Sequence, residues 1–196
     1  RIGPHSLWKF FYQDQEEFMH YQELYGNSSQ DYLTKTYNRR YFFQILYQEW
    51  AFAKRHKRSL SLAMLDLDHF KKVNDTYGHL VGDQILQEFT QRIQESGRQE
   101  DLLARYGGEE FLVLLREVGQ EGALCLAQRI CDSISRIPFP SNKGDIPITV
   151  SIGVVTYTSE QISQSSPEQM IDSADKQLYI AKDSGRNRVC ASVDDY

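Results

Sequence analysis

The chain has 196 residues, 40% of them hydrophobic, and carries 22 basic against 27 acidic side chains for a net charge of −5. That length suits one domain with an extension, and the acidic balance excludes general binding to DNA, RNA or an anionic membrane, so any nucleotide site must be a local basic cluster. No apolar run approaches membrane-spanning length, no stretch reads as a secretory signal, and Cys125, Cys131 and Cys190 fall at no metal-ligand spacing, which points to reduced thiols in a cytoplasmic protein.

Residues 6–26 set Leu7, Phe10, Phe11, Phe18, Tyr21 and Tyr25 among Gln, Glu and Lys at helical spacing, and Gly26-Asn27-Ser28-Ser29 breaks the pattern. Residues 1–30 read as a signalling or linker helix. Its aromatic face either meets a partner or packs back on the domain, since strict heptads are not sustained. The start at Arg1 suggests a longer protein with a sensor domain ahead of it.

The domain proper, residues 31–196, reads in order as a helix near 38–56, a strand over 60–67, helices over 69–76 and 80–95, hairpin strands 102–106 and 111–115, and a helix over 119–136. A strand over 147–157, a helix over 167–183 and a short strand over 187–191 follow. Helices that return the chain between strands, with one hairpin in the middle, predict an α/β sandwich: a central, mainly antiparallel sheet flanked by helices. Cys125 and Cys131 are expected to pack as small apolar residues of the helix over 119–136.

The most informative run is Arg105-Tyr106-Gly107-Gly108-Glu109-Glu110-Phe111. Gly107 and Gly108 allow a tight bend and close approach of backbone to a phosphate, and Glu109 and Glu110 at that bend can hold a metal. Alone, it could equally be a Gly-Gly hairpin with solvated glutamates. Upstream, the apolar run Leu60–Leu65 ends in Asp66-Leu67-Asp68-His69-Phe70-Lys71-Lys72-Val73-Asn74-Asp75-Thr76-Tyr77-Gly78-His79-Leu80-Val81-Gly82-Asp83. Asp66 at the end of one strand and Glu109 at the bend of an adjoining hairpin could reach one Mg2+.

These segments resemble the GGDEF family, the diguanylate cyclases, in its GGEEF form. The stretch from Asp66 to Asp83 matches the family's D-x-D-x-F-K-x-x-N-D-x-x-G-H-x-x-G-D position for position, and Ile148–Val155 and Ala174–Val189 resemble its central strand and its closing helix and strand. At the front, Asp31-Tyr32-Leu33-Thr34 and Asn38-Arg39-Arg40 are similar to its opening D-x-L-T-G-L-x-N-R-R. There Lys35-Thr36 replaces Gly-Leu and leaves the local turn open. The resemblance runs from about residue 31 to residue 191 and implies a nucleotidyl-cyclase, polymerase-palm-like version of the sandwich.

The resemblance implies condensation of two GTP into cyclic di-GMP with loss of two pyrophosphates, dependent on Mg2+ or Mn2+, in a homodimer. It assigns Asp66, the Leu67 backbone carbonyl and Glu109 as metal ligands, and makes Glu109 the best proton acceptor, with Glu110 second because adjacent strand positions face opposite ways. Asn74 and Asp83 match the guanine-holding positions, and an Asp favours guanine because adenine offers no N1–H donor. Lys71, Lys182 and Arg186 match triphosphate contacts, with Lys71 placed to stabilise transition-state charge. His79 is a weaker substrate candidate, and Phe70 suits either the base or the core. Arg98 and Asp101 match an R-x-x-D motif that binds product as inhibitor, joined by Arg129 from the next helix. Each residue also has an ordinary reading: caps for Asp66, Asn74 and Asp83, helix-dipole contacts for Lys182 and Arg186, a surface ion pair for Arg98 with Asp101. A non-catalytic nucleotide-binding sensor and a cyclase making a mixed product are the competing functions.

Overall fold

The computed structural model describes residues 29–142 and 144–192; the helix expected over residues 6–26 lies outside them. In chain order the elements are β1 (Tyr37–Asn38), α1 (Arg39–His56), β2 (Leu60–Leu67), α2 (Phe70–Tyr77), α3 (His79–Ser96), β3 (Leu102–Gly107), β4 (Glu110–Arg116), α4 (Gln120–Arg136), β5 (Val150–Tyr157), α5 (Ser159–Gln164), α6 (Pro167–Asp183) and β6 (Arg188–Ala191).

Strand β2 explains the layering. All its side chains are buried. Ala63, Leu65 and Leu67 enter one hydrophobic cluster, while Leu60, Leu62 and Met64 enter another. A strand whose alternate residues feed two cores must lie between two layers. Helices α2, α3 and α4 supply the first cluster and α1, α5 and α6 the second. The strand order is β1-β3-β4-β2-β5-β6. The inner pairings, β3 with β4 and β2 with both β4 and β5, are antiparallel, and only the short edges β1 and β6 run parallel to their neighbours. The expected α/β sandwich with a mainly antiparallel sheet is therefore present.

Local chemistry fixes the helix starts. Asn38 caps α1 by accepting from the Tyr41 amide at 2.9 Å. Ser166 and Gln169 form a capping box ahead of α6, with Pro167 in its first turn. Thr158 and Gln161 do the same for α5, which the sequence reading passed over. Helix α6 lies directly on β5 because residue 153 is glycine: a Cβ there would sit 2.2 Å from the Leu178 amide nitrogen and 2.3 Å from the Ala174 oxygen. This contact carries the C-terminal end of α6 toward the end of β2.

The turn at Lys35-Thr36 closes without the family's Gly-Leu. The Asp31 amide donates to the Thr36 carbonyl at 2.8 Å and the Lys35 amide to the Asp31 carbonyl at 3.0 Å. Thr36 is buried, its hydroxyl 2.9 Å from that of Thr34. Lys35 takes the left-handed conformation, φ +59°. Two expectations need correction. The strand expected from 147 begins at Val150, and Thr149 instead uses its carbonyl to accept from the Asp68 amide at 2.9 Å. Cys125 is exposed rather than packed, while Cys131 is buried and its thiol is pushed up to about 11, chiefly by burial. Six positions apart on one helix, the two cannot share a face. Among the described residues, no helix is long and apolar enough to cross a membrane.

Candidate active site

The register of the central strands gathers the acids. Asp66 pairs with Glu110 on β4 and with Ser151 on β5, and the Leu67 amide lies 3.4 Å from the Glu109 carbonyl. A register shift between Arg105 and Gly107, followed by Gly108 at φ +34°, makes the bend that presents Glu109. Phe111, immediately after the glutamates, is fully buried against Phe89 with ring centroids 5.1 Å apart, which ties the bend to the core.

Asp66 is 7% exposed, and its Oδ2 lies 2.8 Å from Lys182 Nζ. Burial raises the proton affinity of Asp66; Lys182 and Arg186 oppose that rise and Asp68 adds to it, leaving the carboxyl above its usual range. Glu109 and Glu110 are raised too, first by burial and next by the charge on Asp66, with Lys182 opposing in both cases. Three carboxylates thus share one field that calls for positive charge. Their donor atoms are hard oxygens. Among the described residues no group of three or more His, Cys, Asp or Glu is arranged to enclose an ion. A few carboxylates with sites left to water and phosphate fit Mg2+, which dehydrates reluctantly.

Asp68, to which the sequence reading gave no role, organises the cationic side. It is buried, and its carboxylate accepts from Thr149 Oγ1 at 2.6 Å, Ser151 Oγ at 2.7 Å and the Asn187 amide at 3.0 Å. Asn187 and Arg186 both have positive φ, so Asp68 holds a tight reversal after α6 that delivers Arg186 beside Asp66. Lys71 is exposed on the first turn of α2 and is not among the charges acting on Asp66, Glu109 or Glu110. Among the described residues it forms no ion pair with those carboxylates. Arg39, also missed, acts on Glu110 and stacks 4.5 Å over the Tyr106 ring.

Asn74 and Asp83 come together through Gly82. A Cβ at Gly82 would lie 1.9 Å from Asn74 Oδ1 and 3.2 Å from Phe70 Cζ, so the Asn74 amide rests against the helix backbone one residue before Asp83. Both side chains are half-buried. Phe70 is a core residue, and His79, the first residue of α3, is exposed.

Arg105 braces the bend from behind. Its Nε and Nη2 donate to the Gly108 carbonyl at 3.0 and 2.7 Å, and its Nη1 lies 3.2 Å from Asp31 Oδ1. Asp31 Oδ1 also accepts from the Thr34 amide and hydroxyl at 2.9 and 2.7 Å. Burial alone would raise the Asp31 carboxyl, but the Thr34 bonds and Arg105 outweigh it and hold it below the usual range.

At the other end of β3, Arg98, Asp101 and Arg129 gather around the C-terminus of α3. Asp101 accepts the Arg98 amide at 2.7 Å, and the Arg129 guanidinium donates to the Ser96 carbonyl. Burial pushes the Asp101 carboxyl up, with Arg98 and Arg129 opposing. Asp101 thus engages the Arg98 backbone rather than its guanidinium, the ion pair of the ordinary reading is not formed, and the Arg98 residue is exposed.

Residues 28–188 match the family described as "Diguanylate cyclase, GGDEF domain". The chain is similar to the probable diguanylate cyclase DgcT of Escherichia coli, at 43% identity over 161 residues, 81% of this chain and 34% of that protein. Among solved structures, the GGDEF domain of DgcB from Caulobacter crescentus in complex with c-di-GMP gives a TM-score of 0.78 at 31% identity, covering 85% of this chain and 96% of that one. The active GGEEF domain of a diguanylate cyclase from Vibrio cholerae gives 0.73 at 31% identity, covering 79% and 96%. The chain spans about a third to a half of the length of the curated relatives it matches.

Proposed function

Because this chain belongs to the GGDEF family of diguanylate cyclase domains, we propose that it condenses two GTP into cyclic di-GMP with release of two pyrophosphates, as a homodimer subject to product inhibition. The observation that carries this reading is the Asp66 carboxylate held at the Glu109–Glu110 bend, with Lys182 Nζ 2.8 Å away. In each half-reaction a ribose 3′-oxygen bonds to the α-phosphorus of the other GTP and the bond to pyrophosphate breaks. One domain presents one nucleotide, so two copies must face each other with hydroxyl and α-phosphate opposed.

Asp66, the Leu67 carbonyl and Glu109 would hold Mg2+, with Mn2+ as the alternative. When bound, the ion supplies charge neutralisation at the reacting phosphate. Glu109 takes the 3′-hydroxyl proton, a role its raised proton affinity favours, and Glu110 supports it. Lys182 and Arg186 receive the triphosphate, and Lys71 meets transition-state charge from the start of α2. Asp83 accepts the guanine N1–H and Asn74 bonds the other edge, with His79 at the rim, Phe70 as support beneath and Gly107-Gly108 leaving room for phosphate. Residues 1–30 serve as the signalling stretch leading into the domain over 31–196. The need for GTP favours the cytoplasm.

The test is product formation from GTP and Mg2+ across a range of protein concentrations. Cyclic di-GMP should appear with specific activity rising as the protein dimerises, and ATP should not substitute. Binding of GTP without turnover at every concentration would favour the non-catalytic sensor.

A further inference from the structure

A cleft of ≈ 350 Å³ opens between the turn that carries Lys35 and the turn that carries Arg98 and Asp101, with Thr36, Gln94 and Gln99 also on its walls. Its size lies at the low end of small-molecule pockets, room for one guanylate of a dinucleotide with the second at the rim. Two cations, Lys35 and Arg98, line it, in a chain whose net charge is −5. Among the described residues no ion pair engages Lys35 or Arg98. The carbonyl end of α3 at Gly97 also lines this cleft and disfavours anions, so a phosphate here depends on those cations.

Lys35 keeps its position at a cost. Its φ of +59° is free for glycine, the residue of the opening motif this chain departs from, and strained for lysine. The turn is closed by the Asp31 and Lys35 backbone bonds and by the buried Thr36 hydroxyl, so the ammonium is presented from a rigid support.

We infer that Lys35 is a product-binding residue of this chain, taking one phosphate of cyclic di-GMP across the cleft from Arg98. The inference rests on Arg98 and Asp101 being the second nucleotide site. In the bound complex Asp101 takes guanine donors, Arg98 grips one phosphate and Lys35 the other. The same turn contains Asp31, which holds Arg105 and through it the Gly108 carbonyl, so ligand at Lys35 bears on the active-site bend.

Calorimetric titration of cyclic di-GMP into the whole chain tests this, comparing the parent with Lys35→Gly, Lys35→Gln and Arg98→Ala at low and high salt. Both Lys35 variants should bind about fivefold to tenfold more weakly and with a flatter salt dependence, as expected for one lost charge-assisted contact. Lys35→Gly should also melt higher than the parent, which separates lost binding from lost folding. Parent-like binding by both Lys35 variants, with Arg98→Ala impaired, overturns the role of Lys35 alone. Parent-like binding by Arg98→Ala as well overturns the second-site reading and this inference with it.

Discussion

Removing the Arg105 side chain should uncouple stability from activity in a measurable ratio. Arg105→Ala deletes two bonds to the Gly108 carbonyl and the Nη1 contacts to both Asp31 oxygens, at 3.2 and 3.5 Å, between Arg105 and Asp31 side chains that are 16% and 15% exposed. Asp31 keeps its two Thr34 donors, so no buried charge is orphaned. Charge-assisted bonds of this kind are worth roughly 1.5–3 kcal/mol, and partial solvent access places the loss near 2 kcal/mol. For a domain of this size that lowers Tm by roughly 4–8 °C. Activity should fall further. Once the Gly108 carbonyl is released, the bend is free to shift Glu109, and a displacement on the order of 1 Å costs about a hundredfold in kcat. Asp31→Asn is the control: it keeps the Gly108 bonds and should lose stability with a much smaller loss of turnover. Because the Asp31 carboxyl is held low, its contribution is present above the usual carboxylate range and is lost as pH falls through the folded value. Thermal melts of both variants between pH 7 and acid, with GTP turnover measured well below each Tm, make the comparison. Turnover within about twofold of the parent by folded Arg105→Ala would refute the bracing argument.

Glu109→Gln should abolish cyclic di-GMP synthesis yet raise Tm at neutral pH in chelator. A carboxyl whose folded pKa is raised contributes stability below the usual carboxylate range and loses it as pH rises through the folded value, so removing this charge relieves repulsion from Asp66 and Glu110; an unchanged Tm across pH would contradict the shared field. Gly82→Ala should fold with at most about 1 kcal/mol lost, because the clash is with the movable end of Asn74 and alanine favours the helix, while KM for GTP rises about tenfold; a parent-like KM would show that Asn74 does not need that seat. Asp68→Asn should cost about 2–3 kcal/mol, because the Asn187 amide cannot reverse its polarity to suit an amide nitrogen, and should weaken GTP binding through Arg186. Urea melts and GTP titration would check both effects.

Strand β2 and the hairpin were legible because their signals are local: eight apolar-rich residues, Leu60–Leu67, with Asp66 next to last, and two glycines ahead of two acids. Pairing them in register places Asp66 opposite Glu110 with little freedom left. Asp68 was not legible. Its partners at Thr149, Ser151 and Asn187 come from two distant loops and a strand, and nothing near it in sequence announces them. Gly82 lies within the Asp66–Asp83 motif, but its purpose, to seat Asn74, depends on how α2 meets α3. Helix α5 could have been found from Thr158 and Gln161, yet it is six residues long with only Ile162 buried, too short for a periodic pattern. The different faces of Cys125 and Cys131 follow from helical geometry and were readable from their spacing.

The strand order also divides the candidate site by how easily its parts unfold locally. The carboxylates stand at the ends of β2 and β4, inner strands paired on both sides, whose amides should exchange with solvent only on global opening. Arg186 stands instead on a reversal leading into β6, a four-residue edge strand paired on one side, and that reversal is held by the Arg186 amide donating to the Ala181 carbonyl at 3.0 Å and the Asn187 amide donating to Asp68 at 3.0 Å. Fraying from that edge would release Arg186, the residue proposed to meet the triphosphate, while leaving the acidic centre folded. The rim proposed to receive phosphate and the floor that holds the acids should thus open in separate steps, with denaturants too weak to melt the sheet reaching the rim first.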